Sequence, residues 1–188
     1  MPSTAADIQT SKVSLICVLG APGAGKGTQG RFLAESLGGQ HISVGDLIRG
    51  ELEAGRRVPR DRHSRLGDTA HTQRLILSAA DPSTTLVVLD GFPRAVTQIP
   101  ALLELPWRCL GVVWLNIEFE AAIYRMKARG REGESTAQIG MRHFYHDQSS
   151  PALRRALQEA GLILLEVDAG PPIADVSARC LELIHRIC

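Results

Sequence analysis

A glycine-rich run at residues 20–29, with the sequence GAPGAGKGTQ, constrains the fold of this chain more than any other segment. It follows residues 13–19, which are apolar except for Ser14 and predict a buried strand, and precedes residues 31–37, which predict a helix. Glycine lets backbone N–H groups approach an anion closely, and the start of a helix directs unpaired N–H groups to the same point. The order of strand, loop and helix therefore predicts a phosphate-binding loop.

Two positions of this loop carry further information. Lys26 is one of only three lysines among the 21 basic residues, and its ammonium group can place a charge on phosphate oxygens. Gly27 stands where the general G-x-x-x-x-G-K-[ST] pattern has the Ser or Thr that holds magnesium, and the hydroxyl follows one residue later at Thr28. The loop thus fits a phosphate group but departs from the general pattern at the magnesium position.

Composition is that of a soluble single domain, with 44% apolar and 22% charged residues over 188 positions. The formal net charge of +1 argues against a nucleic acid or a membrane surface as the main partner, and no apolar run approaches membrane length. Residues 1–12 are small and polar, without a hydrophobic signal core, so we expect a disordered tail and a cytoplasmic protein.

Apolar runs and helical patterns alternate along the rest of the chain. This alternation predicts an α/β fold, with a parallel five-stranded sheet covered by helices on both faces and right-handed crossovers. Ligands of such sheets lie beyond the carboxyl ends of the strands. The predicted strands are residues 13–19, 41–43, 85–89, 110–116 and 162–167, and the predicted helices are residues 25–37, 45–53, 64–80, 95–104, 117–128, 136–148, 151–160 and 173–187.

Three segments together resemble one known family. They are residues 20–29, residues 43–49 (SVGDLIR) and residues 89–94 (LDGFPR). They are similar to the signatures G-x-P-G-x-G-K-G-T, S-T-G-D-x-x-R and D-G-F-P-R-x-x-x-Q of the nucleoside monophosphate kinases, adenylate kinases above all. The similarity continues through residues 125–131, Arg142 and residues 166–170, so it covers nearly the whole chain from residue 13.

The resemblance implies a P-loop NTPase fold in one domain, residues 13–188. A small flap that binds the nucleoside monophosphate (NMP) is expected near residues 43–80, and a short lid loop near residues 129–135. It also implies a monomer whose partners are ATP and a nucleoside monophosphate. The activity implied is transfer of the terminal phosphoryl group of ATP to AMP, which yields two ADP, through a loose transition state that needs positioning and charge stabilisation.

Site roles follow from the same resemblance. Asp90 is expected to orient the Mg²⁺ that accompanies ATP, mostly through water because Gly27 offers no hydroxyl; no further metal site is expected. ATP-binding roles are implied for Gly23, Ala24, Gly25, Lys26, Gly27, Thr28, Arg125, Arg129 and Gly170. NMP-binding roles are implied for Val44, Arg49, Gly91, Phe92, Pro93, Arg94, Gln98, Arg131 and Arg142. Catalytic roles are implied for Lys26, Asp90, Arg94, Arg131 and Arg142.

Departures from the family pattern leave two alternatives open. Val44 replaces the threonine of adenylate kinases and favours a UMP/CMP kinase, whereas Gln98, whose amide can read a base, favours AMP. Where the family has two adjacent aspartates, this chain has Glu132 and Glu134 separated by a glycine, so one carboxylate of the adjacent pair is missing. A nucleotide-binding module of this family with weak or lost catalysis is therefore the second alternative.

One helical pattern raises the question of a metal site. His143, His146 and Asp147 recur at one-turn spacing, but no further Cys or His lies nearby in the sequence. We interpret them as a polar helix face. Residues 151–157 carry mixed charge and predict a solvated helix, whereas Trp107 and Trp114, beside or within an apolar strand, are expected in the core.

Overall fold

The sheet of this protein has five parallel strands in the order β2-β3-β1-β4-β5. The computed structural model describes residues 12–59, 67–130 and 136–187. The predicted α/β fold and the predicted parallel sheet are confirmed. Residues 1–11 of the expected tail (residues 1–12) and residues 131–135 of the expected lid lie outside the described residues. The strands are β1 (Ser14–Gly20), β2 (Gln40–Ser43), β3 (Leu86–Asp90), β4 (Arg108–Asn116) and β5 (Leu164–Asp168).

Helices alternate with these strands, as the sequence predicts. The α-helices in the described part of the chain are α1 (Lys26–Leu37), α2 (Val44–Glu53), α3 (Thr69–Ala79), α4 (Ile99–Leu103), α5 (Phe119–Arg129), α6 (Thr136–Glu159) and α7 (Ile173–His185), and a 3₁₀ turn covers Val96–Gln98. Among the described residues, no helix is both long enough and apolar enough to cross a membrane.

Two apolar cores cover the two faces of the sheet. The side chains of β1 alternate between them, because successive residues of a strand point to opposite faces. Leu15 packs in the core that also contains Ile76 of α3 and Leu157 of α6. Ile16 packs in the core that also contains Leu33 of α1, and Cys180 and Ile184 of α7 lie there too. The continuous apolar character of β1 therefore reflects burial on both faces.

One predicted helix, residues 95–104, is divided in the structure. The 3₁₀ turn Val96–Gln98 comes first, and α4 then begins at Ile99 with Pro100 in its first turn. We expected Pro100 near the end of a helix. The first turn accommodates proline because the N–H groups there have no partner within the helix.

The two helices predicted over residues 136–148 and 151–160 also differ from the structure. Both belong to the single helix α6, which contains Pro151. The hydroxyl of Ser149, two residues before the proline, donates to the carbonyl oxygen of Tyr145 at 2.8 Å. Leu153 and Leu157 are buried, so the prediction of a solvated helix is wrong on this face. Their burial against the sheet explains why the helix continues past the proline.

Candidate active site

The phosphate-binding loop and Asp90 lie at the same rim of the sheet. Strands β1 and β3 are parallel neighbours with Val18 opposite Asp90, and the N–H of Gly91 donates to the carbonyl oxygen of Val18 at 3.1 Å. The turn into α1 requires glycine, because Gly25 has a φ of 89°. A Cβ at Gly27 would lie 3.4 Å from Oδ2 of Asp90. The carboxylate of β3 therefore faces the first turn of α1.

Lys26 lies inside its own loop. Its ammonium group donates to the carbonyl oxygens of Gly20 at 3.0 Å and Ala21 at 2.8 Å. Desolvation lowers the pKa of Lys26 to about 8, Asp90 acts in the opposite direction, and three arginines lower the pKa further. Those arginines are Arg94, Arg142 and Arg129. The loop lysine thus lies within electrostatic reach of three cations from three other segments.

The guanidinium groups of Arg49 and Arg94 both lie close to Gly45. A Cβ at Gly45 would lie 3.4 Å from one guanidinium nitrogen of Arg49 and 3.6 Å from one of Arg94. Nε of Arg94 donates to the carbonyl oxygen of Gly91 at 2.7 Å, and Arg49 pairs with Asp46 one turn earlier in α2. The absence of a side chain at Gly45 leaves room for both guanidinium groups.

Arg94 lies within electrostatic reach of charged groups from several segments of the chain. Arg94 reaches solvent, yet the surrounding protein desolvates it and lowers its pKa; Asp90 raises that pKa, and Arg142 and Arg49 lower it. The structure therefore brings Lys26, Asp90, Arg49, Arg94, Arg129 and Arg142 together at one rim of the sheet. Arg131 lies outside the described residues. Such a concentration of cations fits an anion carrying several phosphate charges.

The segment after β3 is shaped by Gln98. Its side-chain oxygen Oε1 accepts from the backbone N–H of Arg94 at 2.7 Å, and the residue exposes 4% of its surface. Phe92 and Pro93 are buried, and Phe92 shares the core with Val44, of which 3% is exposed. The structure therefore places the Val44 side chain mainly in the core beneath the predicted acceptor side.

Arg125 of α5 contacts the loop that follows β5. Its guanidinium group donates to the carbonyl oxygens of Ala169 at 2.7 Å and Gly170 at 3.0 Å. The N–H of Gly170 in turn donates to Oδ1 of Asp168 at 2.8 Å. Arg125 and Gly170, both predicted on the donor side, are thus adjacent, and Arg125 fixes the backbone of this loop.

Sequence reasoning missed two histidines at this rim. His143 exposes 2% of its surface, and its Nε2 lies 2.6 Å from the carbonyl oxygen of Pro22 in the loop, so the polar helix face predicted for it is wrong. Nε2 of His41 lies 3.9 Å from Oδ2 of Asp90, beside Gly30, where a Cβ would come within 2.8 Å of the imidazole. Burial lowers the pKa of His41, and the charge of Asp90 opposes this effect. For His41 the only sequence signal was its place two residues before the SVGDLIR segment.

The described residues of this region offer few protein ligands for a metal ion. Among the described residues, no group of three or more His, Cys, Asp or Glu side chains is placed to hold a metal ion. Asp90 is nevertheless the carboxylate nearest to the loop, and Gly27 leaves space beside it. This arrangement suits a magnesium ion that keeps most of its water and binds mainly to phosphate oxygens.

Comparison with known proteins identifies the family of this chain. A family model described as an AAA domain matches residues 19–139. A curated adenylate kinase of Corynebacterium diphtheriae is 33% identical over 183 residues, which covers 91% of this chain and 99% of that protein. An adenylate kinase of Mycobacterium sp. (strain MCS) is 36% identical over 185 residues, with the same two shares. One of Synechococcus sp. (strain CC9902) is 33% identical over 178 residues, or 88% of this chain and 96% of that protein.

The glycine-rich loop, the aspartate that faces it and the arginines around them thus occur in a chain that is at least 30% identical to adenylate kinases over nearly its full length. The matched AAA domain covers the segment from the end of β1 into α6. This chain belongs to the adenylate kinase family.

Proposed function

We propose that this protein transfers the terminal phosphoryl group of ATP to AMP and so produces two molecules of ADP. The observation that carries the proposal is the convergence of Lys26 with Arg94, Arg129 and Arg142 beside Asp90. Phosphoryl transfer needs groups that position two nucleotides and neutralise the charge on the equatorial oxygens. A rim with several fixed cations and backbone N–H groups meets both needs.

The donor side is the loop of residues 23–28 with α5. Backbone N–H groups at the start of α1 and the ammonium group of Lys26 hold the phosphates of ATP. Lys26 donates to two carbonyl oxygens of its own loop, and in this proposal the phosphates of ATP replace these acceptors. Arg125 and Gly170 border the base and Arg129 lies near the donor phosphates.

Magnesium accompanies ATP in this proposal. When bound, the ion would offset the negative charge of the phosphates. Asp90 would hold it through water, since the carboxylate lies at the edge of the open space above Gly27 and no hydroxyl projects from that position. Thr28, exposed at the start of α1, supplies the nearest loop hydroxyl.

The acceptor side is the pair Arg49 and Arg94. Two guanidinium groups that both lie beside Gly45 can bind one phosphate with parallel hydrogen bonds. Arg142 and Arg131 bridge toward the transferring group. Gln98 acts mainly by fixing the backbone of Arg94, because its Oε1 accepts from the Arg94 N–H.

The choice of AMP as acceptor is supported by the names of the relatives, which are adenylate kinases. Val44 was the residue that favoured a pyrimidine acceptor. Its burial in the core weakens that argument, since a side chain that exposes 3% of its surface has little contact to offer a base.

We further propose the domain arrangement given by the resemblance. It consists of one kinase domain with an acceptor flap at about residues 43–80 and a short lid at about residues 129–135 that excludes water. We also propose a cytoplasmic monomer. The free thiols of Cys17, Cys109 and Cys180 suit a reducing compartment.

An acceptor panel tests the proposed function. ADP formation from ATP and Mg²⁺ is followed in a coupled assay with AMP, dAMP, UMP or CMP as the second substrate. We expect the highest kcat/KM with AMP. A higher value with UMP or CMP would assign the protein to the pyrimidine kinases. No turnover with any acceptor, together with measurable ATP binding, would show a binding module instead.

A further inference from the structure

We propose that His143 is a positioning residue that anchors the phosphate-binding loop to α6, the helix that carries Arg142. Nε2 of His143 and the carbonyl oxygen of Pro22 are 2.6 Å apart, across 121 positions of sequence. This inference deepens the proposed kinase function and rests on it for its catalytic consequence. The anchor itself can be tested by nucleotide binding alone.

The contact is well defined chemically. The carbonyl oxygen of Pro22 can only accept a hydrogen bond, so Nε2 of His143 carries the proton and donates. Burial and the nearby charges of Lys26 and Arg142 lower the pKa of His143, against the opposing effects of Pro22 and Asp147. The imidazole is therefore neutral near pH 7, with its proton on Nε2. The ring also meets Phe119 of α5 edge to face, with ring centroids 5.1 Å apart.

The anchor completes a set of contacts around the loop. On the inner side, Lys26 donates to the carbonyl oxygens of Gly20 and Ala21. At the base of the loop, Gly23 lies against α5, where a Cβ would come within 2.7 Å of the Ala122 carbonyl oxygen. The Pro22 carbonyl lies between these two points in the sequence, and the side chain of His143 donates to it from α6. Without this bond the first turn of the loop loses its fixed position.

The consequence for catalysis comes from the neighbour of His143. Arg142, predicted to contact the transferring phosphate, is the preceding residue of α6 and lies close enough to lower the pKa of Lys26. One hydrogen bond therefore fixes the donor loop relative to a catalytic arginine. Small misplacements of positioned groups have large effects on phosphoryl transfer, because catalysis here is mainly positioning.

Three variants separate the hydrogen bond from simple packing. His143→Phe keeps a ring beside Phe119 but has no donor. His143→Gln loses the ring, but its amide N–H can occupy the place of Nε2–H. The matched control is His146→Phe, one turn along α6, where the native imidazole stacks on Trp114 with centroids 5.8 Å apart. Thermal melting and circular dichroism check that each variant is folded.

We expect His143→Phe to raise the Kd for ATP and lower kcat, each about tenfold, while the Kd for AMP stays within about twofold. His143→Gln should recover most of both losses, and His146→Phe should change neither. A merely structural role predicts the opposite pattern, in which both nucleotides bind less well in proportion to the lost stability and His143→Gln is no better than His143→Phe.

Two outcomes overturn the proposal, and a third concerns the kinase assignment alone. A folded His143→Phe protein with the ATP affinity and kcat of the wild type would contradict the anchor. So would a failure of His143→Gln to recover ATP affinity. A wild-type protein that binds ATP but phosphorylates no acceptor would contradict the proposed function only, and the ATP titrations would still decide the role of His143.

Discussion

Asp90 directs a carboxylate oxygen to within 3.4 Å of the point where a side chain on Gly27 would begin. Gly27 stands in the first turn of α1, where the general loop pattern has a hydroxyl residue. The space between the two residues is therefore bounded on one side by backbone and on the other by a buried carboxylate. The carboxylate gives this space the polarity that suits a water molecule of a hydrated magnesium ion.

Gly27→Ala should separate stability from activity. Alanine forms helix better than glycine, so we expect the free energy of unfolding to stay equal or rise by up to about 1 kcal/mol. The new methyl group contacts the Asp90 carboxylate and displaces water there, so kcat should fall about tenfold. Thermal melting and the coupled assay at several Mg²⁺ concentrations measure both effects.

The control for this change is Gly50→Ala in α2. A Cβ at Gly50 has no heavy atom within 4 Å, so the same gain in helix propensity is expected without any effect on kcat. Full activity in Gly27→Ala, at every Mg²⁺ concentration, would show that the space beside Asp90 has no role.

Arg94→Lys should affect the acceptor and leave the donor nearly unchanged. Lysine carries the charge but cannot form two parallel bonds to a phosphate, nor can it keep the Nε bond to Gly91. We expect the KM for AMP to rise about 100-fold and the KM for ATP to change less than about threefold. Steady-state kinetics with each substrate varied in turn gives both constants.

Arg108→Lys is the matched control for that change, because Arg108 is an exposed arginine at the start of β4. Equal effects of the two substitutions on the KM for AMP would contradict the acceptor role of Arg94.

The pKa of Lys26 predicts how kcat/KM for ATP depends on pH. Its pKa of about 8 means that the ammonium group of the free enzyme loses its proton as the pH rises through this value. Since kcat/KM reports the free enzyme, kcat/KM for ATP should fall with an apparent pKa near 8. A profile that stays flat from pH 7 to pH 9 would contradict a contact between Lys26 and phosphate.

The contribution of Lys26 to the free energy of unfolding should instead increase with pH. The folded pKa of Lys26 lies below the ordinary value of 10.5, so the unfolded state binds more protons between the two values. The contribution of Lys26 to the free energy of unfolding therefore increases as the pH rises from about 8 toward 10.5. Denaturant titrations of the wild type and Lys26→Met, compared at each pH, isolate this contribution.

Val44→Thr tests the origin of base preference. The Val44 side chain is buried beside Phe92, so a hydroxyl there lies mainly in the core. We expect a loss of about 1–2 kcal/mol in the free energy of unfolding. The ratio of kcat/KM values for AMP and UMP should change less than about threefold, since the hydroxyl contributes less than one full hydrogen bond. A tenfold rise in that ratio would show instead that residue 44 contacts the acceptor base.

The sheet and the loop were predictable because their signals are local and mutually consistent. Continuous apolar runs of five to seven residues between turn signals indicate strands buried on both faces, and residues 13–19 differ from β1 by one position at each end. Four glycines and a lysine before a helix leave few structural alternatives. The motif set then places Asp90 and Arg94 at the same rim, since Asp90 ends β3, the strand next to β1, and Arg94 follows it.

What could not be predicted depends on contacts between distant segments. Pro151 reads as the boundary of a helix, and only the burial of Leu153 and Leu157 explains why α6 continues past it. His143 reads as part of a polar face, because nothing near it in sequence indicates that the Pro22 carbonyl lies opposite. Arg125 was expected over the donor base. The structure shows that its guanidinium group donates to the carbonyl oxygens of Ala169 and Gly170, and this contact could not be predicted because these residues are far apart in the sequence.

The most direct test of the central claim is the rate of ADP formation from ATP, AMP and Mg²⁺ by the wild type and by Lys26→Met. Removing the loop ammonium takes away a charge that acts mainly on the transferring group, so kcat should fall by at least about 10³-fold while circular dichroism stays unchanged. A folded Lys26→Met protein that keeps most of the wild-type rate would contradict the assignment of this loop as the site of phosphoryl transfer.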